Sequence, residues 1–273
     1  MHRLNFFFHA IGDQVCTTSF PENYYVMTGE KVIINDPKIW AFKYNPYVIH
    51  GQSHEYMEFP SIDIMPDTRV QEQVKNYVGL YDNLSFNSQA EWLCANVGAK
   101  NPPLRHPRLY IYETESIIPN KITVHTTASD RSKAGEPAIR EKLGEDAIRV
   151  MAPDVIDSII QNYKGWDIVQ IGSETDVTVP GAIDKRGGTK WDMAKEIATS
   201  ARFIGVNSGP MHIAYCYPRV DKRIVLMEFS KKAIARWRPG DMRNFNFSWF
   251  DPSATYFNKH HEDIAYTFAH TKI

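Results

Sequence analysis

The chain has little cysteine. Cys16, Cys94 and Cys216 are the only three in 273 residues, they stand far apart, and no CxxC pair occurs. This argues against a disulfide framework or a zinc knuckle and makes a reducing compartment the expectation. Long apolar runs are missing too: nothing approaches the ~18 residues that a spanning helix needs, so no transmembrane segment is expected. The three phenylalanines at 6 to 8 are followed closely by His9 and Asp13 and do not read as a signal peptide. No charge sign dominates. A formal net charge of -1 gives no global attraction to nucleic acid or to an anionic membrane. Several chemical signatures are also absent. There is no GxxxxGK(S/T), no GxSxG, and no GxGxxG after the first apolar run, and His260-His261-Glu262 lacks the spacing of a zinc site. P-loop hydrolysis, α/β-hydrolase chemistry and nicotinamide-dependent redox chemistry therefore lose their usual supports.

What is present is ample core material, 43% of residues being hydrophobic, in a length that suits one large domain or two ordinary ones. Apolar strands alternate with amphipathic stretches. Residues 3 to 13 read as a buried strand and a Gly12-Asp13 turn, 15 to 29 as a helix that Pro21 either joins in its first turn or breaks, and 30 to 37 as a second strand. Residues 45 to 65 read as loop-rich. Apolar spacing predicts a helix over 68–81, and a capping box at Ser88 and Glu91 predicts another over 88–98. Residues 108 to 113 alternate like a strand. Residues 116 to 120 are the expected domain boundary, giving domains of 1–118 and 119–273. After it the rhythm restarts: strands at 121–127, 167–173, 202–206 and 223–229, and helices at 135–144, 155–163, 189–201 and 210–217. This alternation implies parallel sheets covered on both faces, and two αβα domains facing across a cleft are the economical architecture.

Five segments carry candidate chemistry. Asp13 follows Gly12 at the carboxyl edge of a sheet, placed either to act as a general base or to cap the next helix. Thr126, Thr127, Arg131 and Lys133 offer donors to a phosphate, or simply form a polar loop. Gly172 permits close approach after a buried strand, and Glu174 suits ribose hydroxyls. Asn207-Ser208-Gly209-Pro210 form a tight turn from strand into helix, with His212 on the first helical turn. That geometry holds an anion, while its simpler reading is an N-cap serine. Finally, residues 219 to 243 hold eight Lys and Arg against three Asp and Glu, a local excess of five. That excess reads either as a solvated face or as a rim for a polyanion.

The order "IGDQV", "HTTASDRSK", "QIGSETD", "IDKRGGTKWDMAKEIATSARFIGVNSGPMHIA" and "RWRPGD" resembles the heptosyltransferase-like glycosyltransferases of family 9, most closely over 168–216 and less so around 8–15. No resemblance is visible between about 40 and 115. The resemblance implies the GT-B fold: two Rossmann-like αβα domains facing across a cleft, acceptor side first and nucleotide-sugar side second. It implies Asp13 as catalytic base, Thr126, Thr127 and Lys133 near the donor phosphates, Glu174 on the nucleoside, and Ser208 and Gly209 at the diphosphate with His212 beside them. Asn207 departs from the Asp of many relatives that contacts the donor sugar. The function implied is an inverting, metal-independent transfer of a sugar from a nucleotide-diphosphate donor to an acceptor hydroxyl, with no cofactor. The acceptor implied is lipopolysaccharide or another glycan or lipid-linked chain, at a cytoplasmic site that includes the periphery of the inner membrane. The alternatives are a phage-type enzyme acting on modified DNA bases, a nucleotide-sugar-binding protein without transfer activity, and a nucleotide-sugar epimerase.

Overall fold

The computed structural model describes residues 1–6, 11–34, 39–51, 58–65, 77–79, 107–128, 150–206, 208–226 and 253–258. The chain divides into two compact units: Met1–Ile111 with Gly240–Asp251, and Tyr112–Pro239 with Pro252–Ile273.

The first unit is built on β1 (Arg3–Phe6), β2 (Val32–Ile34), β3 (Val48–His50), β4 (Ser61–Met65) and β5 (Tyr77–Gly79), in the order β3-β2-β1-β4-β5. Every pairing is parallel. β2 is buried along its whole length, the signature of a strand covered on both faces. Between β1 and β2 the sequence suggests one helix, and the structure has two, α1 (Ile11–Cys16) and α2 (Phe20–Thr28). The break is chemical. The Thr17 and Thr18 hydroxyls donate back to the carbonyls of Gln14 and Val15, and Pro21 starts the second helix where its missing N–H costs nothing. α2 ends at Gly29, whose left-handed φ of 73° lets its N–H reach the Tyr25 carbonyl. Gly12 and Asp13 lie inside α1 and not in a turn.

Three further expectations are corrected in this unit. Residues 45 to 65 contain β3, too short to show a period, and β4, whose Ser-Ile-Asp-Ile alternation the loop-rich reading passes over. Within the expected 68–81 helix, Tyr77–Gly79 is β5, paired with Asp63–Met65, so partnership with β4 overrides the helical spacing there; the other residues of that segment lie outside the described ones. Residues 108 to 113 form bends and turns instead of a strand. Arg108 instead turns toward α2, where it pairs with Glu22 at 3.1 Å and lies over the Tyr110 ring, and Tyr112 takes a φ of 55°.

The second unit carries β6 (Ile118–His125), β7 (Asp167–Gln170), β8 (Ile183–Asp184), β9 (Ser200–Val206), β10 (Asp221–Leu226) and β11 (Thr255–Asn258). The order is β11-β10-β9-β6-β7-β8, again parallel throughout. Counted from its own first strand this is 3-2-1-4-5-6, the doubly wound Rossmann order, and the five described strands of the first sheet follow the same order. β6 starts inside the stretch expected to be the domain boundary, and β8 and β11 are additional to the strands expected. α3 (Pro153–Asn162) lays Val155, Ile156 and Ile159 on Ile122, Val124, Ile204 and Val206. α4 (Lys190–Ala198) and α5 (Gly209–Tyr215) pack on each other and on β9. Full burial of each such aliphatic side chain contributes about 1.5–3 kcal/mol. The helices expected over 88–98 and 135–144 lie outside the described residues.

Candidate functional site

In a doubly wound sheet the connections from neighbouring strands leave in opposite directions at one point, and a crevice opens there beyond the carboxyl ends. In the second unit that point lies between β6 and β9. The sequence sends its polar motifs to this edge. β6 ends at His125 and runs into Thr126 and Thr127. β7 ends at Gln170 and runs into Gly172 and Glu174. β9 ends at Val206, before Ser208-Gly209-Pro210.

These segments are bonded to one another. Ser208 Oγ lies 3.0 Å from His125 Nδ1 and donates at 3.0 Å to the Val206 carbonyl. Thr126 donates to the Val177 carbonyl at 2.7 Å, and Thr127 accepts from the Val177 N–H at 3.1 Å. Gln170, inside the sheet edge, donates to the Val177 carbonyl and accepts from the Val179 N–H. The two threonines thus hold the 176–179 loop, and both are buried. Gly172 sits at φ 126°, where a β-carbon would come within 2.0 Å of Asp176 Oδ2 and 3.0 Å of the His125 ring. The close approach it permits is that of Asp176, whose carboxylate also accepts the Ser173 N–H at 3.1 Å. Glu174 is exposed, and its carboxylate rests against Gly187, whose added β-carbon would lie 2.7 Å from Oε1. Arg186 donates to the Asp176 carbonyl at 2.7 Å and pairs with Asp184 at 2.7 Å; that pairing holds the Asp184 carboxyl down at about 2.

Ser208 occupies the N-cap position of α5, but its side chain makes no cap hydrogen bond. Pro210 falls in the first turn, as its sequence position suggests. His212 is buried and meets the Tyr215 ring edge-on at 5.8 Å. Arg131, Lys133 and Asn207 lie outside the described residues. Among the described residues no cluster of three His, Cys, Asp or Glu side chains is close enough to hold a metal ion, and no helix is long and apolar enough to cross a membrane.

In the first unit the corresponding point lies between β1 and β4. Asp13 is the third residue of α1, in the connection that leaves β1; its backbone is described and its side chain is not. It stands within the helix, not at the capping position before it. The next residue, Gln14, is fully buried, and neither end of its carboxamide has a hydrogen-bond partner among the described residues.

Sequence reasoning passed over His125 and Asp176. A signal existed for the first, a histidine ending an apolar strand just before two hydroxyls. Asp176 had none, since only folding brings it beneath Gly172.

A scan of protein-family models and a search of curated proteins give no match. Solved structures do match. The glycosyl transferase family 9 structure from Veillonella parvula DSM 2008 superposes with a TM-score of 0.60 at 12% identity, covering 98% of this chain and 90% of that one. E. coli heptosyltransferase WaaC with ADP gives 0.56 at 10% identity, covering 94% and 93%. The iron-containing dodecameric glycosyltransferase TibC from enterotoxigenic E. coli H10407 gives 0.59 at 14% identity, and this chain spans 63% of its length. The chain has the fold of the heptosyltransferase-like family 9 glycosyltransferases.

Proposed function

We propose that the protein is an inverting, metal-independent glycosyltransferase of GT-B architecture. The observation that carries this reading is the convergence of three polar segments at the β6–β9 switch point, in a fold shared with heptosyltransferases. In this reading the first unit takes the acceptor and the second the donor. A nucleotide-diphosphate sugar lies on the second unit. Glu174 accepts from the ribose hydroxyls. The phosphates lie at the Ser208-Gly209 turn with His212 beside it, and Thr126, Thr127, Arg131 and Lys133 complete their surroundings. Asp13 takes the proton of the acceptor hydroxyl as that oxygen attacks the anomeric carbon. The bond from the sugar to the diphosphate breaks, and the charge left on the nucleotide is stabilised by donors already in place. Asn207, an amide where many relatives carry an acid, supports a donor sugar other than heptose. The acceptor is a surface glycan or a lipid-linked chain, at a cytoplasmic site that includes the inner-membrane periphery.

A thermal-shift screen across nucleotide-sugars tests the donor site, since a ligand at 100 times its Kd stabilises by about 2.7 kcal/mol. With the donor found, Asp13→Asn should lower turnover by about 10²- to 10⁴-fold, the usual share of a general base. Donor affinity should stay near the parent's. Unchanged turnover would remove Asp13 from the chemistry. Donor binding without transfer to any added acceptor would favour a binding protein, and conversion of the free donor would favour an epimerase.

A further inference from the structure

His125 stands where the second sheet stops. It is the last residue of β6, and each ring nitrogen meets a different segment: Nδ1 lies 3.0 Å from Ser208 Oγ, and Nε2 lies 3.5 Å from Asp176 Oδ2. All three residues are buried, at 4%, 6% and 5% exposure for His125, Ser208 and Asp176. Contacts between polar groups screened from water in this way are stronger than the same contacts on a surface.

Two features show that the surroundings are arranged around this ring. Ser208 has a side chain suited to capping α5, an interaction worth about 1 kcal/mol, and does not make it. Its hydroxyl goes to His125 and to the Val206 carbonyl instead. On the other side, Asp176 reaches the ring only because Gly172 has no β-carbon and takes a φ of 126°. The same carboxylate accepts the Ser173 N–H, and Arg186 holds the Asp176 carbonyl. The loop that closes around Asp176 carries Glu174. Ser208, His125 and Asp176 have the residue types of a nucleophilic triad, but the serine hydroxyl is buried and bonded to its own strand, so it serves geometry and not attack.

We propose that His125 is a positioning residue: through Asp176 and Ser208 it ties the loop carrying Glu174 to the turn carrying Gly209, and so sets the span between the nucleoside and phosphate ends of one ligand. This inference rests on the nucleotide-sugar reading above. A fixed span acts on a ligand that engages both ends at once, because holding two subsites at the right separation raises the effective concentration of the second contact. It acts little on a ligand that occupies one end.

The test uses the full chain and whichever of ADP, GDP, UDP, CDP and dTDP binds it, together with the matching nucleoside and inorganic pyrophosphate. In His125→Gln and in Asp176→Asn, diphosphate affinity should fall by at least about fivefold, the lower end of typical coupling between sites. Nucleoside alone and pyrophosphate alone should change by less than about twofold. In the parent, the diphosphate should bind about 10²- to 10⁴-fold tighter than the nucleoside or pyrophosphate alone, a measurement that stands even if a variant does not fold. Equal losses for all three ligands would reduce His125 to a structural histidine, and a diphosphate that binds the parent no tighter than the better of its two parts would overturn the proposal as well. A parent that binds a diphosphate whose affinity neither variant changes overturns the positioning role and leaves the nucleotide reading in place. A parent that binds none of the five removes the reading itself.

Discussion

Two residues test the site and its support most sharply. Gly172 is the position where sequence and structure disagree about purpose: it makes room for Asp176. Gly172→Ala would place a methyl group 2.0 Å from Asp176 Oδ2 at a φ of 126°. Strained backbone costs about 1–3 kcal/mol and overpacking a similar amount. A fall in melting temperature on the order of 10 °C is expected. Adding Asp176→Ala removes the collision, so the losses in the double variant should fall short of their sum; strict additivity would mean that the two do not share a space. Gln14 makes the opposite case. A buried carboxamide without partners costs about 1–3 kcal/mol per unsatisfied group. Gln14→Met keeps the length and removes both polar atoms, and should raise the melting temperature by about 2–4 °C. A lower melting temperature would show that the amide is satisfied by something bound in solution.

Among the elements, α4 shows local sequence deciding local structure. Thr189 accepts from the Asp192 N–H at 3.2 Å, and the Asp192 carboxylate takes the Thr189 N–H at 2.9 Å and its hydroxyl at 2.6 Å. These bonds lower the pKa of Asp192, the hydroxyl contact first. Because the folded value lies below the unfolded one, this contribution is present above the ordinary aspartate pKa and lost as pH falls through the folded value. Thr189→Ala should cost about 1 kcal/mol at neutral pH and lower the melting temperature by about 2–4 °C. The difference from the parent should shrink as the carboxylate is protonated. A difference that persists in acid would place the threonine's contribution outside the reciprocal cap. β5 is the contrary case. Its residues sit in a helical pattern and form a strand, because pairing with β4 rewards an extended backbone there.

For the whole molecule, the question is whether the basic tract from 219 to 243 faces a polyanion. Three of its cations are used within the fold. Arg219 donates to the carbonyls of Tyr112 and Glu113, Lys222 is buried with its ammonium on the Val220 carbonyl, and Arg223 lies 3.3 Å from Asp221. Lys231, Lys232, Arg236, Arg238 and Arg243 lie outside the described residues. Binding of duplex DNA should be weak at physiological salt and should change little between low and moderate salt. Tight binding that weakens steeply as salt rises would report many phosphate contacts and restore the DNA reading.

The sequence alone determined the parallel α/β class, because buried strands of a parallel sheet need apolar runs that remain visible at 167–171 and 202–206. It also determined that a helix starts at Ser208-Gly209-Pro210, since helix starts depend on neighbours in the chain. It did not show β3 or β8, which are too short to carry a period. Nor did it show where Thr126 and Thr127 direct their hydroxyls, or that His125 joins Asp176 to Ser208. Ser208 lies 83 residues from His125 in sequence. Only the strand order, with β6 beside β9 and β7 next to it, brings them to one edge, and that order is fixed by long-range pairing that no local pattern encodes.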